Sequence, residues 1–214
     1  MWLGSNQMNI DVLKEKGAPY WIPNCSRDDL PEFFKQLGFK KGVEIGVSWA
    51  QNIIGYCEAG FEIYGIDPWQ NSEDNIYRRI ISLDRKHRQT IDDVYNYAVE
   101  RTSKYPNCKL IKKTSLEALS DFPKRSLDFV YIDGNHGFGY VAMDLMKWTE
   151  KVKKGGIIAG HDYLDTIKSR NYRGVRYIVD AYAKAYDFNN WYILGRPEDG
   201  NHDRALSWMF IKHW

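Results

Sequence analysis

"FVYIDGNHGFGYVAMDLMKW", residues 129–148, contains an apolar strand-like run that stops at Asp133, a glycine-marked turn carrying His136, and an amphipathic run with helical spacing. Strand, tight turn and helix in that order form the repeating unit of a parallel sheet, because a helix must carry the chain back across the sheet. A little further on, "GGIIAGHDY" (155–163) sets a second apolar run against His161 and Asp162. Two strand ends thus carry carboxylates and imidazoles.

The same unit recurs outward in both directions. Upstream, "GVEIGV" (42–47) precedes a helix over about 49–58, and "FEIYGID" (61–67) is cut off by Pro68. Residues 72–86 and 90–104 have helical periodicity, "CKLIKK" (108–113) reads as a strand, and "SLEAL" (115–119) opens a short helix. Ser26 can cap a helix over 27–37, with Pro31 in its first turn and Gly38 at its end. "LDFVYID" (127–133) leads into a helix over 138–152, "GGIIAG" (155–160) is the fifth strand, and 174–186 is the last helix.

The chain closes on "WYILG" (191–195) and "ALSWMFIKHW" (205–214) with no helix between them. That connection is too short for a parallel crossover, so the last strand runs antiparallel. The expected fold is α/β, a doubly wound, Rossmann-like sheet of seven strands, mostly parallel with an antiparallel last strand. One domain spans 1–214, with residues 1–25 as an irregular N-terminal segment and 69–104 as a helical insertion.

Composition narrows the classes. At 214 residues with 43% apolar and 27% charged residues, the chain suits one soluble globular domain. A net charge of +2 argues against a nucleic-acid partner, and the basic residues of 78–88 are broken up by apolar ones. Cys25, Cys57 and Cys108 are odd in number and widely spaced, which fits neither a disulfide framework nor a zinc site. The first residues lack a signal-peptide pattern and no run reaches membrane-spanning length, so a cytoplasmic protein without a membrane partner is expected. The aromatic content, 15%, serves mainly packing, and its concentration at both termini leaves room for a homodimer.

Ligands of doubly wound sheets bind beyond the carboxyl ends of the strands. Gly46, in "VEIGVSWAQ" (43–51), lets a ligand approach the backbone, and Asp67 ends the next strand twenty-one residues later. An acid there can accept hydrogen bonds from ribose hydroxyls. The dinucleotide pattern G-x-G-x-x-G is missing, which suits a nucleoside without phosphates. Glu44 would repel a pyrophosphate and suit an ammonium group. Both acids could also serve only to cap their elements.

Glu44-x-Gly46, Asp67, "YIDG" (131–134) and the terminal strand pair together resemble the class I S-adenosylmethionine-dependent methyltransferases, over roughly residues 26–214. Ser48 and Ala50 stand where that family usually has glycines. The resemblance implies that Glu44 and Gly46 hold the methionine end of S-adenosyl-L-methionine, with Ser48 and Asp133 lining it. Asp67 would take the ribose, and Thr114 and Ser115 would lie beside the adenine.

"YIDGNHGFGYVAMDLMKW" with "GGIIAGHDY" is similar to the branch containing the metal-dependent sugar O-methyltransferases of macrolide biosynthesis, and distantly to catechol-type O-methyltransferases. By that resemblance Asp133, His161 and Asp162 hold a divalent cation, and Asp133 and His136 are catalytic, His136 as general base. Neighbouring strand ends lie about 5 Å apart, so such side chains can converge on one ion. Mg²⁺ or Mn²⁺ is expected ahead of Fe²⁺ or Zn²⁺, although an imidazole at 161 strengthens the latter two. A His–Asp dipeptide at a strand end could equally hydrogen-bond a neighbouring loop.

The implied activity is O-methylation of a small molecule or glycosyl unit. A metal-free class I methyltransferase of another acceptor, an NAD-dependent oxidoreductase and a non-catalytic nucleoside-binding module are the alternatives. Tyr20, Trp21, Trp69, Tyr163 and Tyr172 are candidate walls for the acceptor.

Overall fold

Eight strands form one sheet in the computed structural model, which describes residues 8–70, 90–164, 174–195 and 205–214. They are β1 (Tyr20–Ile22), β2 (Lys41–Ile45), β3 (Glu62–Asp67), β4 (Cys108–Lys112), β5 (Leu127–Ile132), β6 (Val152–Tyr163), β7 (Tyr192–Leu194) and β8 (Leu206–Ile211). Their order is β1-β7-β8-β6-β5-β2-β3-β4. Every pairing is parallel except those of β8, which runs antiparallel to both β6 and β7. The sequence expectation of a doubly wound sheet with an antiparallel last strand therefore holds.

The eighth strand is β1, inside the segment expected to be irregular. Three residues between Pro19 and Pro23 carry too little pattern to read as a strand. It forms because β7 supplies parallel partners, Tyr20 opposite Tyr192 and Ile22 opposite Leu194.

Alternation along the central strands feeds two apolar layers. Val43, Ile45, Val130 and Ile132 face one side, where α4 (Ser115–Ala118), α5 (Phe138–Thr149) and α6 (Val175–Ala185) bring Ala118, Leu145, Trp148 and Val179. Phe129, Tyr131 and Ile63 face the other, against Phe33 and Phe34 of α1 (Leu30–Gln36), Ile53 and Tyr56 of α2 (Ile53–Glu58), and Val94 and Ala98 of α3 (Ile91–Thr102). The predicted helix over 72–86 lies outside the described residues. The one over 90–104 is α3, which starts on a Thr90–Asp93 capping box.

Two boundaries shift for local reasons. The helix expected from about 49 begins only at Ile53, because Ser48 (φ 48°) and Ala50 (φ 56°) take left-handed backbones that no α-helix accommodates. The fifth predicted strand extends through Tyr163, so it includes His161 and Asp162.

Candidate functional site

Strand order reverses between β2 and β5, with β3 and β4 on one side and β6 and β8 on the other. A crevice opens at the carboxyl ends of such a pair, and here those ends are Ile45–Gly46 and Ile132–Asp133.

Glu44 lies one residue before the end of β2, opposite Gly65 and Tyr131, and is 1% exposed. Burial drives its carboxyl well above the usual range and Asp133 adds to the rise, while Asn52 and Arg27 oppose it. Its Oε2 completes no hydrogen bond of good geometry among the described residues, and Asn52 lies in the same buried region close enough to pull the carboxyl down. A buried carboxylate oxygen without a partner is costly, and an ammonium group would satisfy it.

Gly46 (φ 87°) has a different reason from the one its sequence context suggests. A Cβ there would run into the carbonyl of Asp133, so the glycine lets two strand ends close on each other. That closure is visible in the hydrogen bonds Asp133 N to Ile45 O, 2.8 Å, and Gly46 N to Ile66 O, 2.8 Å. Asp67, at the end of β3, holds the loop that follows. It accepts from Ser48 N at 3.0 Å and Trp69 N at 2.8 Å. Burial pushes its carboxyl up to about 6, against the pull of those amides.

Asp133, His136, His161 and Asp162 meet at the ends of β5 and β6. His136 Nε2 is 2.7 Å from Asp162 Oδ2 and 3.6 Å from Asp133 Oδ1, and His161 Nδ1 is 3.5 Å and 3.8 Å from the same two oxygens. Consecutive residues of a regular strand point to opposite faces. Here the β6–β8 register slips between Gly160 and Tyr163, and Asp162 sits at φ 58°. That bulge turns both His161 and Asp162 toward the same carboxylate, as bulges beside functional sites commonly do.

The electrostatics follow from this crowding. Burial alone would lower the His136 imidazole, but hydrogen bonds and charges from Asp133 and Asp162 outweigh it and hold it up at about 9. Burial would raise Asp162, yet the two histidines keep it well below the usual carboxylate range. Among the described residues, donor atoms of Asp133, His136 and Asp162 all lie within 4.8 Å of one another, a separation that one cation can bridge.

One participant was not legible in the sequence. Arg27 Nη1 is 3.3 Å from Asp133 Oδ2, across 106 residues of chain. Only Ser26, read as a helix cap, hinted at an ordered turn there.

Thr114 and Ser115 follow β4 at the same end of the sheet, but their hydroxyls are engaged. Thr114 Oγ1 caps α4 by accepting from Glu117 N at 3.3 Å, and Ser115 Oγ bonds the Asp144 carboxylate and accepts from Trp148 Nε1 at 2.7 Å. Of the aromatic residues expected to line an acceptor pocket, Trp69 and Tyr163 are buried instead. Trp69 donates to Ser48 O at 3.1 Å, and Tyr163 Oη donates to Asp180 at 2.7 Å. Tyr172 lies outside the described residues. No helix among the described residues is long and apolar enough to cross a membrane.

The sequence and the fold are similar to those of known proteins. An uncharacterised Sinorhizobium fredii protein, y4gI, is 26% identical over 132 residues, 56% of this chain, and the chain spans 13% of that relative's length. The fold is similar to that of a Bacillus cereus O-methyltransferase solved in complex with SAH, with a TM-score of 0.59 at 13% identity over 87% of this chain and 80% of that one. It is equally similar to the N-methyltransferase NodS of Bradyrhizobium japonicum, with a TM-score of 0.58 at 12% identity over 88% of this chain and 95% of that one. Residues 39–163, more than half of the sequence and including both strand-end clusters, match a family described as a methyltransferase domain. The chain belongs to that family, the class I S-adenosylmethionine-dependent methyltransferases.

Proposed function

We propose that the protein transfers a methyl group from S-adenosylmethionine to a hydroxyl of a small molecule or glycosyl unit, with a divalent cation held at Asp133 and Asp162. The observation that carries this reading is the convergence of Asp133, His136, His161 and Asp162 at the same end of the sheet as the buried carboxyl of Glu44, whose Oε2 lacks a hydrogen bond of good geometry. A cofactor-type acid and a cation-type cluster share one end of the sheet, on the neighbouring strands β2, β5 and β6. The O-methyltransferase and N-methyltransferase neighbours share this fold equally, so support for oxygen as the acceptor comes from the cluster.

Glu44 would hold the cofactor's ammonium and Asp67 its ribose hydroxyls, with the backbone at Thr114 and Ser115 flanking the adenine. Asp133, Asp162 and His161 would ligate the ion, whose chemistry is to act as Lewis acid and template for the acceptor oxygen. His136, on the turn after β5, takes the acceptor's proton. It can do so at neutral pH only when the surrounding carboxylate charge is neutralised, since the ion-free site holds it at about 9. Methyl transfer then depends mainly on in-line orientation.

One observation favours a second arrangement. His136 Nε2, rather than His161, completes the three-donor group, which suits His136 as a ligand. Calorimetry of chelator-stripped protein with Mn²⁺ separates the two. His136→Ala keeps ion binding if His136 is the base and loses it if His136 is a ligand. As base, its removal should lower turnover of a true acceptor by roughly 10²–10⁴-fold. Full activity in excess EDTA would remove the cation from the mechanism altogether.

A further inference from the structure

Asp144 is a buried acid that methyl transfer and cation binding leave without a task. It sits on the inward face of α5 beside Val141, Leu145 and Trp148, and is 5% exposed. A carboxylate in such company needs donors. Ser115 supplies one. Trp148 Nε1 donates to Ser115 Oγ at 2.7 Å, and an indole N–H has no other capacity, so the single hydroxyl proton of Ser115 goes to Asp144 Oδ1. Among the described residues this is the one hydrogen bond of the Asp144 side chain. Burial accordingly pushes its carboxyl up to about 6, opposed by the Ser115 hydroxyl. The second oxygen, Oδ2, lies beside the turn that follows Asp133, where a Cβ on Gly134 would stand 3.7 Å from it.

Asp144 therefore adjoins two turns, the one after β4 that holds Ser115 and the one after β5 that holds Gly134. In the sheet β2 and β3 lie between those strands, with Gly46 and Asp67 at their ends. Asp67 is paired in register with Lys112 of β4, so a nucleoside whose ribose is held at Asp67 brings its base to the Ser115 side. The side chains offer that base acceptors alone. An ionised carboxylate accepts only, and Ser115 Oγ, its proton committed to Asp144, can do no more than accept. An exocyclic amino group supplies the missing donor, whereas a ring carbonyl sets another acceptor against them. We propose that Asp144 is the base-reading residue of the cofactor site, its Oδ2 accepting from the exocyclic amino group of adenine, so that a 6-oxo purine is rejected. This rests on the placement of adenine beside Ser115 given above and adds to it the side chain that identifies the base.

Calorimetry with S-adenosylhomocysteine and its deaminated counterpart, S-inosylhomocysteine, tests it at a pH well above the value of about 6 at which the Asp144 carboxyl titrates. The two ligands share the ribose and the amino-acid end and differ in the purine ring, amino against oxo. Wild type should bind the adenine compound about 10- to 100-fold more tightly, as expected for a hydrogen bond to a charged group. Asp144→Asn keeps the shape and an acceptor for Ser115 Oγ, and turns an amide N–H₂ toward the base. It should weaken S-adenosylhomocysteine, strengthen S-inosylhomocysteine, and cut the ratio of the two affinities by at least about 10-fold. Thermal melting checks that the variant keeps its fold, and the wild-type comparison stands whether or not it does. Wild type that binds the two ligands equally would overturn the proposal and leave the cofactor reading intact. An unchanged ratio in Asp144→Asn would overturn it too, as would equal losses for both ligands, because the carboxylate would then only support the pocket. Wild type that binds neither ligand would overturn the cofactor reading together with it.

Discussion

His136 Nε2 lies 2.7 Å from Asp162 Oδ2, an ion pair between the turn after β5 and the bulged end of β6. The imidazole is held up at about 9, against 6.5 for the free group, so folding strengthens its hold on a proton. A group with a raised folded-state pKa contributes stability that is complete below the unfolded value and fades as pH rises through the folded one. Ion-free protein should therefore lose stability between about pH 6.5 and 9. Urea midpoints of stripped wild type and His136→Gln check this, with the difference between them shrinking across that window. Parallel curves would show that the pair contributes nothing.

Cation binding should displace that proton. Stripped protein titrated with Mn²⁺ near pH 7.5 should release protons, read as a dependence of the apparent binding heat on the buffer's ionisation enthalpy. Asp162→Asn should abolish ion binding and leave S-adenosylhomocysteine affinity within a few-fold. Asp133→Asn should also abolish it, and should additionally disturb Arg27. Undiminished ion binding in Asp162→Asn would remove that carboxylate from the ligand set.

If Asp67 holds the ribose, as proposed, cofactor affinity should depend on pH. Its carboxyl is pushed up to about 6, and the ionised form is the better acceptor for two ribose hydroxyls. S-adenosylhomocysteine should therefore bind more tightly as pH rises through about 6 and level off above it. Asp67→Asn should lose that inflection and about 1.5–3 kcal/mol of binding. Asp67→Ala should do more harm, because Ser48 N and Trp69 N would lose their acceptor. An unchanged affinity for Asp67→Asn would end the ribose assignment.

Gly46 and Gly60 separate backbone strain from steric closure. Both are left-handed, at φ 87° and 88°, but a Cβ on Gly60 meets nothing within 4 Å whereas one on Gly46 meets the Asp133 carbonyl. Gly60→Ala should cost about 1 kcal/mol. Gly46→Ala should cost at least about 2 kcal/mol and weaken S-adenosylhomocysteine binding as well, since it forces β2 and β5 apart. Equal denaturation midpoints for the two variants would contradict the close approach.

Much of the site was legible because its residues end strands. Asp67, Asp133, His161 and Asp162 stand at the polar stop of an apolar run and Glu44 one residue short of one, where doubly wound sheets place ligands. What could not be read was which side chain meets which. The reading assigned His161 to the ion and His136 to the proton, whereas the described geometry puts His136 Nε2 closest to Asp162. Trp69 and Tyr163 looked like pocket walls by composition, and packing buried them.

Period and punctuation alone determined the run of strands and helices, the antiparallel end and the acids at the strand mouths, because these depend on backbone preferences within a few residues. The tertiary structure decided the rest. β1 exists only through β7, Arg27 reaches Asp133 across 106 residues of chain, and Asp162 turns inward only because β6 slips against β8. Each of these depends on register and long-range pairing, which bring together residues whose local sequence carries no mark of the meeting.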